Sequence, residues 1–273
     1  MRILITGGSG YLGRALTRHW RDQHTVCVYS RSESAQAALD PHPNVRRFIG
    51  DVRDRDRLRR AMDGCDVVVH AAALKRIEVG QYNPDEMVKT NVIGTLNVIE
   101  AAQDARIERV IYTSTDKAWR PISPYGQSKA LAEQLILSAN DMVRRYRGPK
   151  FAVTRYGNVM GSTGSVIPRW RSATGRVQLT DPEATRFWMS IDEAVQLIET
   201  TMHTMQGGER IIPRLPAFRL GDLAQAMGVE YDVIGLPPWE KLHEGMDDDN
   251  TSDQARRMSV DEIRERLCAM PTA

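Results

Sequence analysis

The sequence predicts an α/β fold, with helices on both faces of a doubly wound parallel sheet and a small C-terminal lobe. Short runs rich in valine and isoleucine alternate with helix-like segments through the first half of the chain. The glycine-rich stretch "TGGSGYLG" joins the first run to the first helical segment. After residue 157 glycine and proline become frequent and the predicted elements shorten. An alternation of strands and helices is typical of parallel sheets covered by helices.

Six apolar runs predict the strands of this sheet. Each is brief and mostly apolar on both faces, as expected for a parallel strand between two layers of helices. The predicted strands are 2–6, 25–30, 45–50, 66–70, 109–114 and 151–156, and the predicted helices are 11–21, 54–62, 84–104 and 125–146. The helix at 84–104 has a start signal, because Asn83 can cap it and Pro84 occupies its first turn.

The change in composition after residue 157 predicts two domains, residues 1–156 and 157–273. The second contains stretches such as "PRLPAF" and "GLPPWEK" and is expected to be a smaller lobe interleaved with the sheet. Its polar segment at 247–257 is predicted to be mobile. A last helix is predicted at 259–267, where a serine and a glutamate have the spacing of a capping box.

The composition excludes several classes of function. The chain has 273 residues, with 37 Lys and Arg against 35 Asp and Glu, so the net charge of +2 gives no case for a nucleic-acid or membrane surface. Cys27, Cys65 and Cys268 form no CxxC motif, which argues against a disulfide framework or a metal site and fits a reducing cytosol. The start of the chain resembles no targeting segment, and no apolar run approaches the ~20 residues of a membrane span. We therefore expect a cytoplasmic protein.

The glycine-rich stretch predicts a dinucleotide site. Gly7, Gly10 and Gly13, with Tyr11 and Leu12 between them, follow the first strand and open the first helix. Glycines let the backbone approach a pyrophosphate, and the helix N-terminus offers free N–H groups. In this strand–turn–helix context the stretch predicts a Rossmann-type domain over residues 1–156; the alternative is a glycine-rich turn without a ligand.

The end of the second strand favours NADP(H) over NAD(H). NAD-binding domains place an acidic residue there for the ribose hydroxyls, whereas this chain has Ser30 and Arg31. An arginine can pair with a 2′-phosphate through several donors. The alternative is that Arg31 is an ordinary solvated surface residue.

Two further segments are predicted to line the cofactor. Asp51 and Val52 follow the third strand, where they could meet the adenine. Ala71, Ala72 and Ala73 follow the fourth strand and are small enough for a nicotinamide cofactor to pass. Close packing of the strand against a helix would explain the alanines equally well.

A tyrosine and a lysine four residues apart predict redox chemistry. Tyr125 and Lys129 can share one face of a helix. A tyrosine with its ordinary pKa is a poor base, but a nearby ammonium favours the phenolate. Thr115, at the end of the fifth strand, can offer a hydroxyl to the same substrate oxygen. The alternative is a tyrosine and a lysine on the surface of an amphipathic helix.

A second pair, Asp116 and Lys117, predicts a further step. A ketone at C4 of a hexose acidifies the proton on C5, so a base can remove that proton while an acid protonates the departing 6-hydroxyl. Lys117 would serve as the base if its pKa were lowered, and Asp116 as the acid if its pKa were raised. The alternative is a structural ion pair at a strand end.

Together these segments resemble the extended short-chain dehydrogenase/reductases. More specifically, they resemble the soluble nucleotide-sugar 4,6-dehydratases that act on UDP-N-acetylglucosamine, of the inverting type that starts pseudaminic acid synthesis. The similarity runs from residue 1 to about 245 and rests on "TGGSGYLG", "HAAALK", "YNPDEMVKTNVIGTLNVIEAA", "STDKA", "YGQSK", "RYGNVMGSTGSVIP", "TDPEATRFWM" and "EKLHE".

The resemblance implies a role for each catalytic candidate. Tyr125 and Lys129 serve the oxidation at C4 with help from Thr115, Asp116 is the acid for water loss, and Lys117 is the base at C5. NADP(H) is expected to stay tightly bound and to be recycled, with Lys129 also contacting it.

The resemblance also implies partners. The substrate would be a nucleotide sugar, with contacts from Lys75, Asn91, Tyr156, Asn158, Arg186 and Lys241. Relatives form homo-oligomers through the helices that correspond to 84–104 and 125–146, so a dimer or larger assembly is expected.

Two positions depart from the family pattern. Thr163 and Pro237 stand where relatives have arginines near the nucleotide diphosphate or sugar. Arg169, Arg171 or Arg214 would have to compensate, or the nucleotide or the sugar differs from UDP-N-acetylglucosamine.

The sequence therefore predicts a nucleotide-sugar 4,6-dehydratase acting on UDP-N-acetylglucosamine or a related nucleotide hexose, with inversion at C5 left open. A 4-epimerase or ketoreductase of the same superfamily is the first alternative, because it needs Tyr125 and Lys129 but not the second pair. A non-catalytic NADP(H)-binding regulator is the other alternative.

Overall fold

The computed structural model describes residues 1–143 and 148–270. Its strands are β1 (Arg2–Thr6), β2 (Thr25–Ser30), β3 (Val45–Ile49), β4 (Val67–His70), β5 (Arg109–Thr113), β6 (Lys150–Thr154), β7 (Val177–Leu179), β8 (Thr185–Phe187), β9 (Arg210–Ile211), β10 (Ala217–Arg219), β11 (Tyr231–Val233), β12 (Gly245–Asp247) and β13 (Asn250–Thr251).

Helices follow most of these strands. They are α1 (Tyr11–Trp20), α2 (Glu33–Ala37), α3 (Arg55–Met62), α4 (Ile77–Tyr82), α5 (Pro84–Met87), α6 (Gly94–Asp104), α7 (Pro124–Val143), α8 (Val166–Arg171), α9 (Ile191–Thr204), α10 (Leu220–Met227) and α11 (Val260–Ala269). The last three residues of the helix predicted at 125–146 lie outside the described ranges.

Seven parallel strands form the central sheet, in the order β3-β2-β1-β4-β5-β6-β9. The chain starts in the middle of the sheet, builds outward to β3, and then returns to the other side of β1 with β4. Parallel sheets of this order have a crevice where the direction of building reverses, at the carboxyl ends of the strands. The predicted fold class is confirmed.

The sheet is covered on both faces. On one face, α3, α6 and α7 contribute buried residues such as Leu58, Val98 and Ile136. On the other face, Leu16 of α1 packs with Ile198 and Met202 of α9. Because both faces are dry, the inner strands are apolar at nearly every position, which is why they were readable from sequence.

The helix predicted at 84–104 is interrupted. The chain runs from α5 through a wider π-helical stretch at Val88–Ile93 into α6. Asn83 does not cap it with its side chain, since its amide donates instead to the Val79 carbonyl at 2.9 Å.

The chain beyond residue 157 contributes to both parts of the fold. α9 and β9 return to the central sheet, and the other elements form a small lobe around Trp170, Trp188 and Phe218. Part of the segment expected to be mobile, 247–257, is packed into this lobe, because the fully buried Ser252 hydrogen-bonds Thr185 Oγ1 at 2.6 Å.

A buried ion network joins the lobe to the sheet. Glu133 of α7 is fully buried and accepts from Arg155 Nε at 2.9 Å and from Arg210 Nε at 3.0 Å. Arg155 also donates from Nη1 to the Met246 carbonyl at 2.5 Å. The network therefore links α7, the end of the sheet and β12.

Across residues 1–143 and 148–270, no helix combines the length and apolarity needed to cross a membrane. Within the same ranges, no three His, Cys, Asp or Glu side chains are grouped to hold a metal ion.

Candidate active site

A cavity of about 630 Å³ opens at the carboxyl edge of the sheet. It extends from the glycine-rich loop to the small lobe. Most of the predicted site residues line it, namely Gly7, Gly10, Tyr11, Leu12, Gly13, Ala71, Ala72, Ala73, Lys75, Thr115, Lys117, Tyr125, Lys129, Tyr156, Asn158 and Arg186.

The glycine-rich loop depends on glycine for two reasons. Gly7 has φ +70°, and a Cβ there would lie 2.9 Å from the Cα of Ala72. A Cβ on Gly13 would lie 2.4 Å from the Cα of Gly8. These contacts bring α1 against the strand ends and place its first turn at the cavity.

The loop fits a dinucleotide pyrophosphate. Among the described residues, a Cβ at Gly10 would have only the Gly7 carbonyl oxygen within 4 Å, at 3.1 Å, so the space above the first turn of α1 is open. Gly10 begins this helix without a side-chain cap, which leaves N–H groups for an anion. Ala71, Ala72 and Ala73 line the same cavity while closely contacting the loop, so the cofactor and packing explanations are both compatible with the structure.

The residues predicted to select the cofactor lie beside the cavity rather than in its lining. The Ser30 hydroxyl accepts from the Gln36 amide at 2.9 Å. Asp51 is paired with Arg53 at 2.7 Å and lies 3.9 Å from the half-exposed Arg31. Burial would raise the pKa of Asp51, but its bonds with Arg53 and the charge of Arg31 outweigh burial and lower it.

Two predicted contact residues have structural roles. Val52 is buried in the core, 2.8 Å from where a Cβ on Gly94 would lie. Asn91 is 1% exposed, accepts from the Leu74 N–H at 2.8 Å, and donates to the Leu74 carbonyl and to Ser128 Oγ. Its amide is thus used by the protein, and its contact with substrate stays a prediction.

Tyr125 and Lys129 lie on α7 where it faces the cavity. Lys129 Nζ donates to the Thr113 carbonyl at 2.7 Å and lies 4.0 Å above the centre of the Tyr112 ring. Burial lowers the pKa of Lys129 to about 7, although Glu133 opposes the change. Burial raises the pKa of Tyr125 to about 12, with the Lys117 ammonium and the Thr115 hydroxyl acting in the opposite direction.

Asp116 and Lys117 form a short 3₁₀ turn directly after β5. The Thr115 hydroxyl donates to Asp116 Oδ1 at 2.9 Å, and Lys117 Nζ donates to the same oxygen at 3.0 Å. Asp116 is fully buried and lies behind these two side chains, which line the cavity in its place.

The pKa shifts of Asp116 and Lys117 agree with the sequence prediction for Asp116 and differ from it for Lys117. Burial and the nearby Glu244 carboxylate raise the pKa of Asp116, as its role as an acid requires. Burial would lower the pKa of Lys117, but Asp116 and Glu244 outweigh it and raise that pKa. The expected lowering is therefore absent, because the ammonium lies between two carboxylates.

The residues predicted to contact substrate are divided between the cavity and its surroundings. Asn158 accepts from Lys117 Nζ at 3.2 Å, and the buried Arg186 pairs with Glu240. Lys241 lies outside the lining, where its Nζ donates to the Trp119 carbonyl at 2.5 Å.

The charged residues of this cavity outside the predicted set are Arg76, Glu78, Arg169, Glu240 and Glu244, of which Arg169 had been considered as a substitute at the altered positions. Glu244 ends the "EKLHE" motif, which was the available signal. Of the arginines considered as substitutes at the altered positions, Arg171 donates to the Leu267 carbonyl and Arg214 to the Asp249 carbonyl, both away from the cavity.

Comparison with known proteins identifies enzymes that are similar in sequence to this chain. The UDP-N-acetylglucosamine 4,6-dehydratase (inverting) of Campylobacter jejuni serotype O:2 is 40% identical over 256 residues, covering 89% of this chain and 76% of that protein. A UDP-glucose 4-epimerase of Rickettsia conorii is 36% identical over 266 residues, covering 89% and 76%.

Solved structures share the whole fold. Pen from Bacillus thuringiensis superposes with a TM-score of 0.92 at 33% identity, with 98% of each chain covered. DesIV, a dTDP-glucose 4,6-dehydratase from Streptomyces venezuelae with NAD bound, has a TM-score of 0.83 at 22% identity, covering 98% and 96%. The family described as polysaccharide biosynthesis protein matches residues 3–264, and the chain belongs to that family.

Proposed function

We propose that the protein is an NADP-dependent nucleotide-sugar 4,6-dehydratase, a lyase acting on UDP-N-acetylglucosamine or a related nucleotide hexose. The observation that carries this proposal is the meeting of Tyr125 and Lys129 with Lys117 in one cavity, beside a glycine-rich loop that fits a pyrophosphate. Asp116 is hydrogen-bonded directly behind Lys117. The Campylobacter relative carries the same activity in its name.

The first step assigned to this site is oxidation at C4. Tyr125, once ionised, accepts the proton of the C4 hydroxyl. A bound nicotinamide would supply a hydride acceptor for C4 and a hydride donor for C6. The Thr115 hydroxyl favours the phenolate of Tyr125, and so does the ammonium of Lys117. Removal of the hydroxyl proton and of hydride together leaves a ketone at C4.

Water loss needs a base at C5 and an acid at the 6-hydroxyl. Transfer of one proton from Lys117 to Asp116 along their 3.0 Å hydrogen bond produces both. The neutral Lys117 then removes the C5 proton. Protonated Asp116 donates through the Thr115 hydroxyl, 2.9 Å away, to the departing oxygen, which leaves as water.

The choice of NADP(H) is supported by Arg31, whose side chain is 54% exposed at the end of β2. A hydrogen bond to a charged group contributes roughly 1.5–3 kcal/mol. Arg31→Ala should therefore weaken NADP⁺ binding about 10-fold to 150-fold and leave NAD⁺ binding nearly unchanged, as measured by titration calorimetry. Equal losses for both cofactors would contradict this assignment.

We also propose a cytoplasmic homo-oligomer. Support for the interface comes from exposed apolar side chains on the predicted helices, namely Val88, Ile93 and Leu131 at 45–51% exposure. Light scattering coupled to size exclusion would test the assembly, with Leu131→Glu expected to shift it toward monomer.

Incubation with UDP-N-acetylglucosamine in deuterated water tests the reaction. We expect a 4-keto-6-deoxy product with deuterium at C5 and no net consumption of cofactor. NMR at C5 then reads the stereochemistry directly. Repeating the assay with other UDP-, CDP-, GDP- and dTDP-hexoses identifies the substrate, and absence of water loss from all of them would exclude the proposal.

A 4-epimerase is the second candidate, because a relative of that name is 36% identical. It would use Tyr125 and Lys129 without needing Lys117. A product that keeps its 6-hydroxyl would favour it.

A further inference from the structure

Glu244 lies immediately before β12 at the floor of the cavity. It is 3% exposed, and its Oε1 is 3.3 Å from Lys117 Nζ. Its Oε2 is 3.7 Å from Lys241 Nζ and has no hydrogen-bond partner within the described part of the chain. Burying a carboxylate is costly unless an opposite charge pairs with it. The role of Glu244 is therefore sought in its pairing with Lys117.

Lys117 Nζ makes two hydrogen bonds and a further ion pair. An ammonium has three N–H donors and no acceptor. Nζ is 3.0 Å from Asp116 Oδ1, 3.2 Å from Asn158 Oδ1 and 3.3 Å from Glu244 Oε1. A lysine held as an ammonium cannot remove a proton from carbon until it has given one away.

We propose that Glu244 is a positioning residue that fixes Lys117 as an ammonium aimed between two carboxylates, so that Lys117 becomes a base only by passing a proton to Asp116. The proposal rests on the dehydratase function proposed above. Asn158 accepts another proton of the ammonium. The lone pair left on Nζ after the transfer faces Asp116, and rotation about the Cε–Nζ bond turns it toward the cavity.

The proton count closes. In the resting site Lys117 carries the one labile proton of the Lys117–Asp116 pair. After transfer, Asp116 holds that proton and Lys117 is neutral. The C5 proton then restores the ammonium, and the proton on Asp116 leaves with the 6-hydroxyl as water. The pair is back in its starting charge state once water has gone. When hydride returns to C6, Lys117 gives a proton to C5, and one proton, equal to the one that Tyr125 took from the C4 hydroxyl, restores the ammonium, while Glu244 stays ionised throughout.

The surroundings agree with this assignment. The groups that face Lys117 are Asp116 on its own turn, Tyr125 of α7, Asn158, Arg186 of β8 and Glu244, with Lys241 behind Glu244. Burial would raise the pKa of Glu244, but Lys117, Arg186 and Lys241 outweigh it and keep the carboxylate ionised.

The pH profile of kcat/KM tests the proposal, since its two limbs report the free enzyme. The shift of a limb between variant and wild type, rather than its position, reports the Lys117–Asp116 pair as a whole, because the pKa of Lys129 in the same cavity is about 7. Glu244→Gln keeps the shape of the side chain and removes its negative charge, which weakens proton binding by the pair. Both limbs should move to lower pH by about one unit or more. Asp247→Asn, which removes a carboxylate from β12, is the matched control and should leave the limbs in place.

A second variant, for which the expected pH shift has the opposite direction, keeps the test valid if Glu244→Gln misfolds. Lys241→Gln removes a positive charge next to Glu244 and should move both limbs to higher pH. Limbs that coincide with those of the wild type in both variants, whatever the rate, would overturn the role of Glu244. A wild-type enzyme that releases no water from any nucleotide sugar would instead overturn the proposed function.

Discussion

Lys129 and Lys117 reach the same cavity in opposite electrostatic surroundings. Lys129 donates to a backbone carbonyl and lies over an aromatic ring, and burial lowers its pKa to about 7. Lys117 is also buried, but the carboxylates of Asp116 and Glu244 raise its pKa. The neighbouring carboxylates, rather than the depth of burial, therefore decide which lysine is charged.

This difference separates two chemical tasks. The region around Lys129 and Tyr125 serves proton transfer at a hydroxyl. Burial lowers the pKa of Lys129 to about 7 and raises that of Tyr125 to about 12, so the tyrosine has to be ionised before it can act. The region around Lys117 holds a charge that must be moved before carbon acid chemistry can begin. Variants in the two regions should therefore fail at different steps.

Tyr125→Phe should have the largest effect. It removes the group that accepts the C4 proton, so every later step is lost, and turnover should fall by about 10²–10⁴-fold. Product formation followed by mass spectrometry is the measurement. Tyr156→Phe is the matched control, because Tyr156 lines the same cavity without a lysine one helical turn away, and its loss should be smaller. An equal loss of turnover in the two variants would contradict the assignment of Tyr125 as the proton acceptor.

Lys117→Met should stop water loss to a similar extent and should slow, without abolishing, the oxidation at C4, because the Lys117 ammonium also favours the Tyr125 phenolate. We expect nicotinamide reduction on addition of substrate, seen by absorbance, without formation of the 4-keto-6-deoxy sugar. The reason is that Tyr125 and Lys129 remain intact. Full turnover in this variant would favour the epimerase.

Lys129→Met should change how stability depends on pH. The unfolded chain holds the Lys129 proton up to the ordinary lysine pKa of 10.5, whereas the folded protein releases it near 7. Between these values the unfolded state binds more protons, so wild-type stability rises with pH, and below pH 7 the buried lysine has its full cost. The wild type should gain on the order of a few kcal/mol relative to the variant between pH 6.5 and 10, measured by urea unfolding of the cofactor-free protein. An equal difference at both pH values would show that Lys129 is not neutralised by folding.

Asn91→Ala should have the smallest effect. It leaves the half-buried N–H and carbonyl of Leu74 without their partner, which should cost about 1–3 kcal/mol in the free energy of unfolding. Thermal or urea unfolding gives the value. Asn97→Ala, which removes a single bond to the Val52 carbonyl, should cost less. A larger cost for Asn97 would contradict the role given to Asn91.

The sequence predicted the inner sheet well because its strands are apolar on both faces; β1 and β2 have the predicted bounds. Predictions were weaker for the small lobe, where strands of two or three residues carry no periodicity. The spacing of Tyr125 and Lys129 is local and therefore readable. The contact between Lys117 and Glu244 depends on folding of the second lobe, so the direction of the Lys117 pKa could not be read from its neighbours in sequence.

The buried Glu133 has a consequence for how the molecule unfolds. It lies on α7 two turns after Tyr125 and one turn after Lys129, and it is neutralised by Arg155 and Arg210 from the far edge of the sheet. Arg155 in turn holds the backbone of β12, two residues from Glu244. Pulling the small lobe away would take the Met246 carbonyl from the buried Arg155 guanidinium, so the two parts should melt in a single cooperative transition. Lys117 from the sheet and Glu244 from the lobe thereby keep their positions relative to each other for as long as the protein is folded.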